Sequence, residues 1–114
     1  PEFGNFFDKL LTAIVTKYVF SKSARKYAKY LKKQGANVSF YEIGWRPEGS
    51  NFGATHCLEL SLLFGFNETW INSPMIGDTS KKEFEKLGIE MRKTWIEFAK
   101  KGKLIDVPNW LYHF

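Results

Sequence analysis

The chain has 114 residues, a formal net charge of +5, and 44% hydrophobic and 18% aromatic residues. This composition excludes a disordered, highly charged segment, and the length suffices for one domain or less. No apolar run approaches the ~20 residues of a membrane span, and no secretory signal pattern is visible. The single cysteine excludes an intramolecular disulfide and favours a reducing compartment, so we expect a cytoplasmic protein that does not enter membranes.

The N-terminal residues predict a helix preceded by a short foreign segment. Residues 1–4, Pro-Glu-Phe-Gly, fit no periodic element, and Glu-Phe is the dipeptide that a common cloning site encodes, so we interpret them as vector-derived. From Asn5 to about Tyr18, apolar residues recur every three or four positions, which predicts an amphipathic helix. The residues of this apolar row are Phe7, Leu10, Leu11, Ile14 and Val15.

A second, basic helix is predicted next. Val19-Phe20 break the first pattern, Ser21 can cap a helix that runs to Gln34, and Gly35 suits the left-handed position past its end. This helix carries Lys22, Arg25, Lys26, Lys29, Lys32 and Lys33 beside Tyr27 and Tyr30. A basic helix bearing aromatic residues can bind phosphates, so a small nucleic-acid-binding module is an alternative function. A solvated helix surface has the same pattern, and we favour that interpretation.

The segment Val38 to Trp45 is rich in β-branched and aromatic residues and is the one strand that the sequence predicts convincingly. A lone strand leaves two rows of backbone donors and acceptors without partners. We therefore expect strand pairing between chains, helix exchange between copies, or a rearranged helical packing. The first two of these alternatives would produce a homo-oligomer.

The second half of the chain predicts two loops and a long helix. Pro, Gly, Ser and Asn mark residues 46–53 and 72–78 as loops. Ser80 and Glu83 form a capping box for a helix that ends at Gly102. Its predicted apolar row is Phe84, Leu87, Met91, Trp95 and Phe98. The four tryptophans, Trp45, Trp70, Trp95 and Trp110, are interpreted as core or pocket wall, and Phe66 with Trp70 as the border of a substrate pocket.

Residues 53–60, Gly-Ala-Thr-His-Cys-Leu-Glu-Leu, followed by Leu63-Phe64-Gly65, place a histidine on a small-residue loop directly before a short apolar helix. This stretch resembles the histidine motif of the type B carboxylesterases, a branch of the α/β-hydrolases in which Gly-Ala-x-His-Gly-x-Glu-Leu runs on to x-Phe-Gly. The resemblance implies that His56 is the general base of a Ser-Glu-His triad and that no cofactor is needed. Cys57 stands where that family usually has glycine.

The order of the predicted elements also resembles this family over nearly the whole chain. Pro108-Asn109-Trp110 is similar to a short Pro-x-Trp element that follows the long helix, whereas the strand expected beyond it is missing or cut short at Phe114. The resemblance implies an α/β fold for the parent protein, in which parallel strands would flank Val38 to Trp45. The present chain is expected to be mostly helical.

A triad also needs a nucleophile, an acid and an oxyanion hole, and in this fold the serine and the acid precede the histidine. No Gly-x-Ser-x-Gly occurs among the nine glycines, and no glycine-rich oxyanion loop is visible. Residues 5–114 are therefore expected to be the C-terminal portion of a hydrolase domain. Its partner would be the N-terminal portion of the esterase, its substrate a carboxylic ester, and the portion alone would be inactive.

Other interpretations of the histidine loop remain open. On composition alone, His56 would be interpreted as an ordinary loop histidine. The surrounding motif is what favours a general base. With Cys57 and Glu59 it is a poor zinc site, because adjacent ligands diverge and no second ligand cluster is present. Cys57 lacks an oriented base in space, which argues against a nucleophile. Glu59 suits the positive end of the following helix, and His113 is assigned no role.

Overall fold

The computed structural model describes residues 6–65 and 68–113, with the backbone alone for His113. The predicted vector-derived residues 1–4 lie outside the described residues. The chain divides into two compact units between Phe40 and Tyr41, and each is described by itself. The elements, in chain order, are α1 (Phe6–Val15), a π-helical segment (Thr16–Ser21), α2 (Lys22–Lys33), β1 (Tyr41–Ile43), α3 (Leu58–Phe64), α4 (Glu68–Ile71), α5 (Lys81–Lys101) and β2 (Leu111–His113).

The helical path from α1 to α2 is uninterrupted, so the predicted break at Val19-Phe20 and the predicted cap at Ser21 are wrong. Ser21 has helical dihedral angles, φ −63° and ψ −45°, and its side chain makes no capping hydrogen bond. The N–H of Lys22 donates to the carbonyl of Lys17, five residues earlier, as a π-helix requires. Because no glycine or proline lies between Phe6 and Gln34, a wider turn absorbs the change of pattern without ending the helix.

The end of α2 follows the prediction. Gly35 adopts a left-handed φ of 83°. Its N–H donates to the carbonyl of Lys32 at 3.1 Å, and the N–H of Ala36 donates to that of Leu31 at 3.2 Å. These two bonds form a Schellman motif, which satisfies carbonyl groups that the last turn of a helix leaves free. The glycine is needed because a side chain at positive φ is disfavoured.

The strand differs from the prediction in length and in pairing. It covers Tyr41–Ile43 and not Val38 to Trp45, and it pairs antiparallel with β2 of the same chain, with Ile43 opposite Leu111. We expected strand pairing between chains, helix exchange between copies or a rearranged helical packing; the partner is instead a short strand of the same chain after Trp110. The N–H of Gly44 extends the contact by donating to the carbonyl of Trp110 at 2.8 Å. One edge of β1 is thereby satisfied within the chain.

Trp110 anchors the segment that leads from α5 back to β1. Its indole Nε1–H donates to Oε2 of Glu90, on α5, at 2.7 Å. A hydrogen bond to a charged acceptor is stronger than a neutral one. It fixes the residues between α5 and β2, so that Leu111, at 3% exposure, enters the core.

The long helix α5 begins and ends as the sequence predicts. Ser80 is its N-cap, and the Ser80 hydroxyl accepts from the N–H of Glu83 at 3.2 Å. At the other end Gly102 has a left-handed φ of 68°, and its N–H donates to the carbonyl of Phe98 at 2.8 Å. The loops at residues 46–53 and 72–78 are also confirmed.

The core of the second unit lies around α5. The buried cluster consists of Leu62, Ile76, Phe84, Leu87, Met91 and Leu111, with Trp45, Trp70 and Trp110 packed against it. The predicted row on α5 is correct as far as Met91. It then continues through Thr94, which is 2% exposed, whereas Trp95 is 48% exposed. Trp95 lies four residues after Met91, but the position three residues after Met91 is the one that faces the core.

Helices α3 and α5 approach each other closely at Gly88. A Cβ atom at this position would lie 3.0 Å from the carbonyl oxygen of Leu62 and 2.9 Å from Nη1 of Arg92. Arg92 donates from Nη1 to the same carbonyl at 2.7 Å. The glycine therefore makes room for the last turn of α3, and the arginine satisfies one of the carbonyls that this turn leaves without an intrahelical donor.

Replacing Gly88 by alanine tests this contact. We expect the free energy of unfolding to fall by about 1–3 kcal/mol, because the new methyl group overpacks the interface by more than alanine gains in helix propensity, which is about 1 kcal/mol. Urea denaturation measures the change. The control Lys100→Ala alters an exposed position of the same helix and should stay within about 0.5 kcal/mol of the original chain. Equal stability of the Gly88→Ala variant would contradict the close approach.

Candidate active site

His56 lies in the turn that joins the loop of residues 46–53 to α3, and its side chain is exposed. The N–H of Leu58 closes this turn by donating to the carbonyl of Thr55 at 3.3 Å. Leu58 and Leu62, 1% and 0% exposed, hold α3 against the core. The predicted short apolar helix after the histidine is therefore confirmed, and the exposed His56 lies two residues before the first residue of this helix.

Cys57 explains why this position suits glycine. It has φ 68° and ψ 6°, and it is the one non-glycine residue with positive φ in the described parts of the chain. An L-residue in this conformation costs roughly 1–2 kcal/mol because its Cβ crowds the backbone. The glycine of the related motif would adopt it freely. Cys57 thus adopts a backbone conformation that glycine favours. The left-handed turn at this residue sets the direction of the chain from His56 into α3.

The loop before His56 is fixed to the loop at residues 72–78. The N–H of Asp78 donates to the carbonyl of Glu48 at 2.8 Å. The Ser50 hydroxyl donates to the carbonyl of Pro74 at 3.0 Å and accepts from the N–H of Phe52 at 3.2 Å. Because Ile76, in the second loop, is only 2% exposed, these bonds connect the histidine loop to the core. Sequence reasoning found both loops but not the bonds between them.

Gly77 permits this contact between the loops. Its φ is 51°, and a Cβ atom here would collide with the backbone carbonyl oxygen of Glu48. The substitution would therefore be blocked both by the conformation and by the neighbouring backbone. A glycine beside aspartate in a loop is the signal that sequence reasoning had for this contact, but it indicates a turn without naming what lies against it.

Tyr41 on β1 interacts with Trp95 on α5 and with Glu59 on α3. The indole Nε1–H of Trp95 donates to the Tyr41 hydroxyl at 3.1 Å, and the two rings meet edge to face with centroids 6.5 Å apart. Burial raises the pKa of Tyr41, the hydrogen bond from Trp95 lowers it in part, and the Glu59 carboxylate raises it. Glu59 lies in the first turn of α3, as predicted, where a carboxylate is favourable.

The other candidate residues are distributed more widely. Within residues 6–65 and 68–113, no group of three or more His, Cys, Asp or Glu side chains is placed to hold a metal ion. Trp70 is half-buried against the core, while Phe66, its predicted neighbour at a pocket, lies outside the described residues. The side chain of His113 is not described. Of the basic residues on α2, Arg25 is half-buried over the Phe40 ring, and the lysines are exposed.

The described helices also bear on the membrane. None of those in the described segments combines the length and the apolar character that crossing a bilayer requires.

The comparison with known proteins supports kinship with a hydrolase. No family model matches the chain. Over 99 residues it is 37% identical to a protein of Rhodococcus erythropolis named probable N-octanoylanthranilate hydrolase AqdA2. The match covers 87% of this chain but 22% of the relative, so the chain spans about a fifth of that protein's length. No solved structure matches. The relation to a hydrolase predicted from the motif is thus confirmed at this general level.

Substitutions of Cys57 test the left-handed turn. The Cys57→Gly variant should be more stable than the Cys57→Ala variant by about 1 kcal/mol, because only glycine adopts positive φ without steric cost. Alanine is the matched control, since both variants remove the thiol. Thermal and urea unfolding give the comparison. If alanine were the more stable of the two, residue 57 would not have the left-handed conformation described here.

Alkaline pH tests the environment of Tyr41. Its pKa is raised above 10.0, so the folded chain holds the phenol proton more tightly than the unfolded chain. This contribution to stability is complete below pH 10.0 and is lost as the pH rises through the raised value. The unfolding free energy of Tyr41→Phe should therefore decline less steeply above pH 10.0 than that of the original chain. Urea unfolding at neutral and alkaline pH measures it, with the exposed Tyr30→Phe as control; identical slopes for Tyr41→Phe and the original chain would refute the assignment.

Proposed function

We propose that this chain is the histidine-bearing portion of a serine hydrolase of the type B carboxylesterase kind, with an α/β-hydrolase fold in the whole protein. The observation that carries the proposal is the exposed His56 at a left-handed turn directly before the anchored helix α3. A general base must reach the substrate and be held in a fixed direction. The exposure supports the first requirement, and the anchored turn supports the second.

His56 transfers one proton in two steps in this proposal. It takes the proton of a serine hydroxyl as the serine attacks the carbonyl carbon of the substrate, and it gives that proton to the leaving group when the tetrahedral intermediate collapses. A carboxylate on the other ring nitrogen keeps the imidazole in the productive orientation. The serine, the carboxylate and the oxyanion hole come from other portions of the whole protein. The chain alone is therefore inactive toward esters.

The substrate class follows from the same chemistry. The relative's name contains an N-octanoyl group, which joins a fatty acyl chain to nitrogen. Hydrolysis of an ester and of such an amide both pass through an acyl-enzyme, and they differ in whether the histidine protonates an alcohol or an amine. We propose carboxylic esters as the substrates and consider activated N-acyl compounds compatible with the same site. No cofactor takes part, and the single thiol of Cys57 fits a cytoplasmic enzyme.

A chimera tests the proposal. The matching stretch of the Rhodococcus relative is replaced by this chain, and hydrolysis of an aryl octanoate ester and of the relative's own named substrate is measured. We expect the chimera to hydrolyse the ester, and His56→Ala to lower kcat/KM at least about 10³-fold, since it removes a triad member. The 114-residue chain by itself should show no hydrolysis above buffer.

The matched control is His113→Ala, which removes the chain's other histidine and should leave activity near that of the chimera. Circular dichroism verifies that each variant is folded. Undiminished activity after His56→Ala would sink the assignment of the general base. A folded chimera without any esterase or amidase activity would count against the hydrolase assignment itself.

A further inference from the structure

The loop before His56 and the loop before α5 pack against each other through two glycines. A Cβ atom at Gly49 would collide with the carboxylate of Asp78, in the second loop. A Cβ atom at Gly77 would collide with the carbonyl oxygen of Glu48, in the first. Each loop therefore offers bare backbone at the point where the other approaches, and the two fit together in one arrangement.

Ser50 is the side chain that bonds across this contact. Its hydroxyl donates to the carbonyl of Pro74, in the facing loop, at 3.0 Å. The same hydroxyl accepts from the N–H of Phe52, in its own loop, at 3.2 Å. A hydroxyl has one donor and two acceptor positions, so it makes both bonds at once. The path of the chain at Phe52 is thereby fixed relative to the facing loop.

His56 lies between this fixed point and the start of α3. On the helix side the chain is held by Leu58, whose side chain is 1% exposed. Only residues 53–57, five in number, separate Leu58 from Phe52. The imidazole is therefore carried by a short span of chain that is held at both ends.

Removal of the Ser50 hydroxyl would lengthen this span. The next bond to the facing loop, toward the N-terminus, is that of the Glu48 carbonyl, which accepts from the N–H of Asp78 at 2.8 Å. Between Glu48 and Leu58 lie nine residues, 49–57. A longer span between fixed points has more backbone dihedral angles that are free to vary. The position of the imidazole would then be less well defined.

We propose that Ser50 is a positioning residue for His56, acting through its bond to Pro74 and not through contact with the substrate. The inference rests on the proposed function, in which His56 is the general base. A general base must lie within hydrogen-bond reach of the proton that it takes, and a misplacement of about 1 Å costs roughly 100-fold in rate. Because the histidine serves both the formation and the hydrolysis of the acyl-enzyme, a loosened imidazole slows both half-reactions.

Kinetics of the chimera described above test this role. Ser50→Ala removes both hydrogen bonds and should lower kcat for the aryl octanoate ester about fivefold to tenfold, with KM within about twofold of the original. Ser50→Thr keeps a hydroxyl and should restore most of the loss. In a chimera that already carries His56→Ala, adding Ser50→Ala should cause no further loss, because no imidazole remains to be positioned.

The matched control is Ser73→Ala. The Ser73 hydroxyl accepts from the N–H of Met75 at 3.3 Å, a bond within one loop, so kcat should stay unchanged. Hydrogen exchange in the 114-residue chain gives a readout that does not require activity. The amide of Asp78, which bonds across the loops, should exchange at least about fivefold faster in Ser50→Ala than in Ser73→Ala or the original chain. Circular dichroism verifies that each variant is folded.

The outcomes separate this inference from the proposed function. An active chimera whose kcat is unchanged by Ser50→Ala, or whose loss appears in KM alone, overturns the positioning role and leaves the hydrolase assignment standing. A loss of equal size with and without His56 shows that Ser50 acts independently of the imidazole, which also overturns the role. A folded chimera without hydrolysis overturns the proposed function, and the role of Ser50 with it.

Discussion

The contact between α3 and α5 is the constraint on which the second unit depends. The two helices approach closely because Gly88 has no side chain, and Arg92 uses that space to donate to the Leu62 carbonyl. The same contact buries Leu62 and places the beginning of α3 at a fixed point of the surface. His56 is two residues before that helix, so the close packing of α3 against α5 determines the position of the imidazole. The position of the candidate general base therefore depends on how closely α3 and α5 pack.

The histidine is also held from the other side. Two backbone-directed hydrogen bonds tie the loop before it to the loop that carries Ile76 into the core. A short loop anchored at both ends has little freedom to move, which is the condition for presenting a general base without a large entropic cost. The left-handed conformation of Cys57 sets the direction of the chain between His56 and α3. These features involve backbone groups and small residues, and the imidazole is the functional side chain that they position.

The elements best predicted from sequence were those with local signals. The Ser80 cap, Gly102 and Gly35 are recognisable because each satisfies a helix end by itself, and the histidine loop is recognisable from its wording. The strand at Val38 to Trp45 was overextended because strand length depends on a partner, and β2 lies some seventy residues away in the sequence. Gly88 and the π-helical segment were missed for the same reason: a helix-interior glycine and a change of apolar phase acquire meaning only through what packs against them.

The π-helical segment rotates the residues that follow it around the axis of the same helix. An extra residue in a turn displaces everything after it by about 100° around the axis relative to an uninterrupted α-helix. The length of Thr16–Ser21, and not the composition of either helix, therefore sets the rotation of the lysine-rich surface of α2 about the helix axis relative to α1. Gaining or losing a single amino acid there would rotate one surface against the other while leaving both sequences intact, a simple route by which related chains can reorient charge.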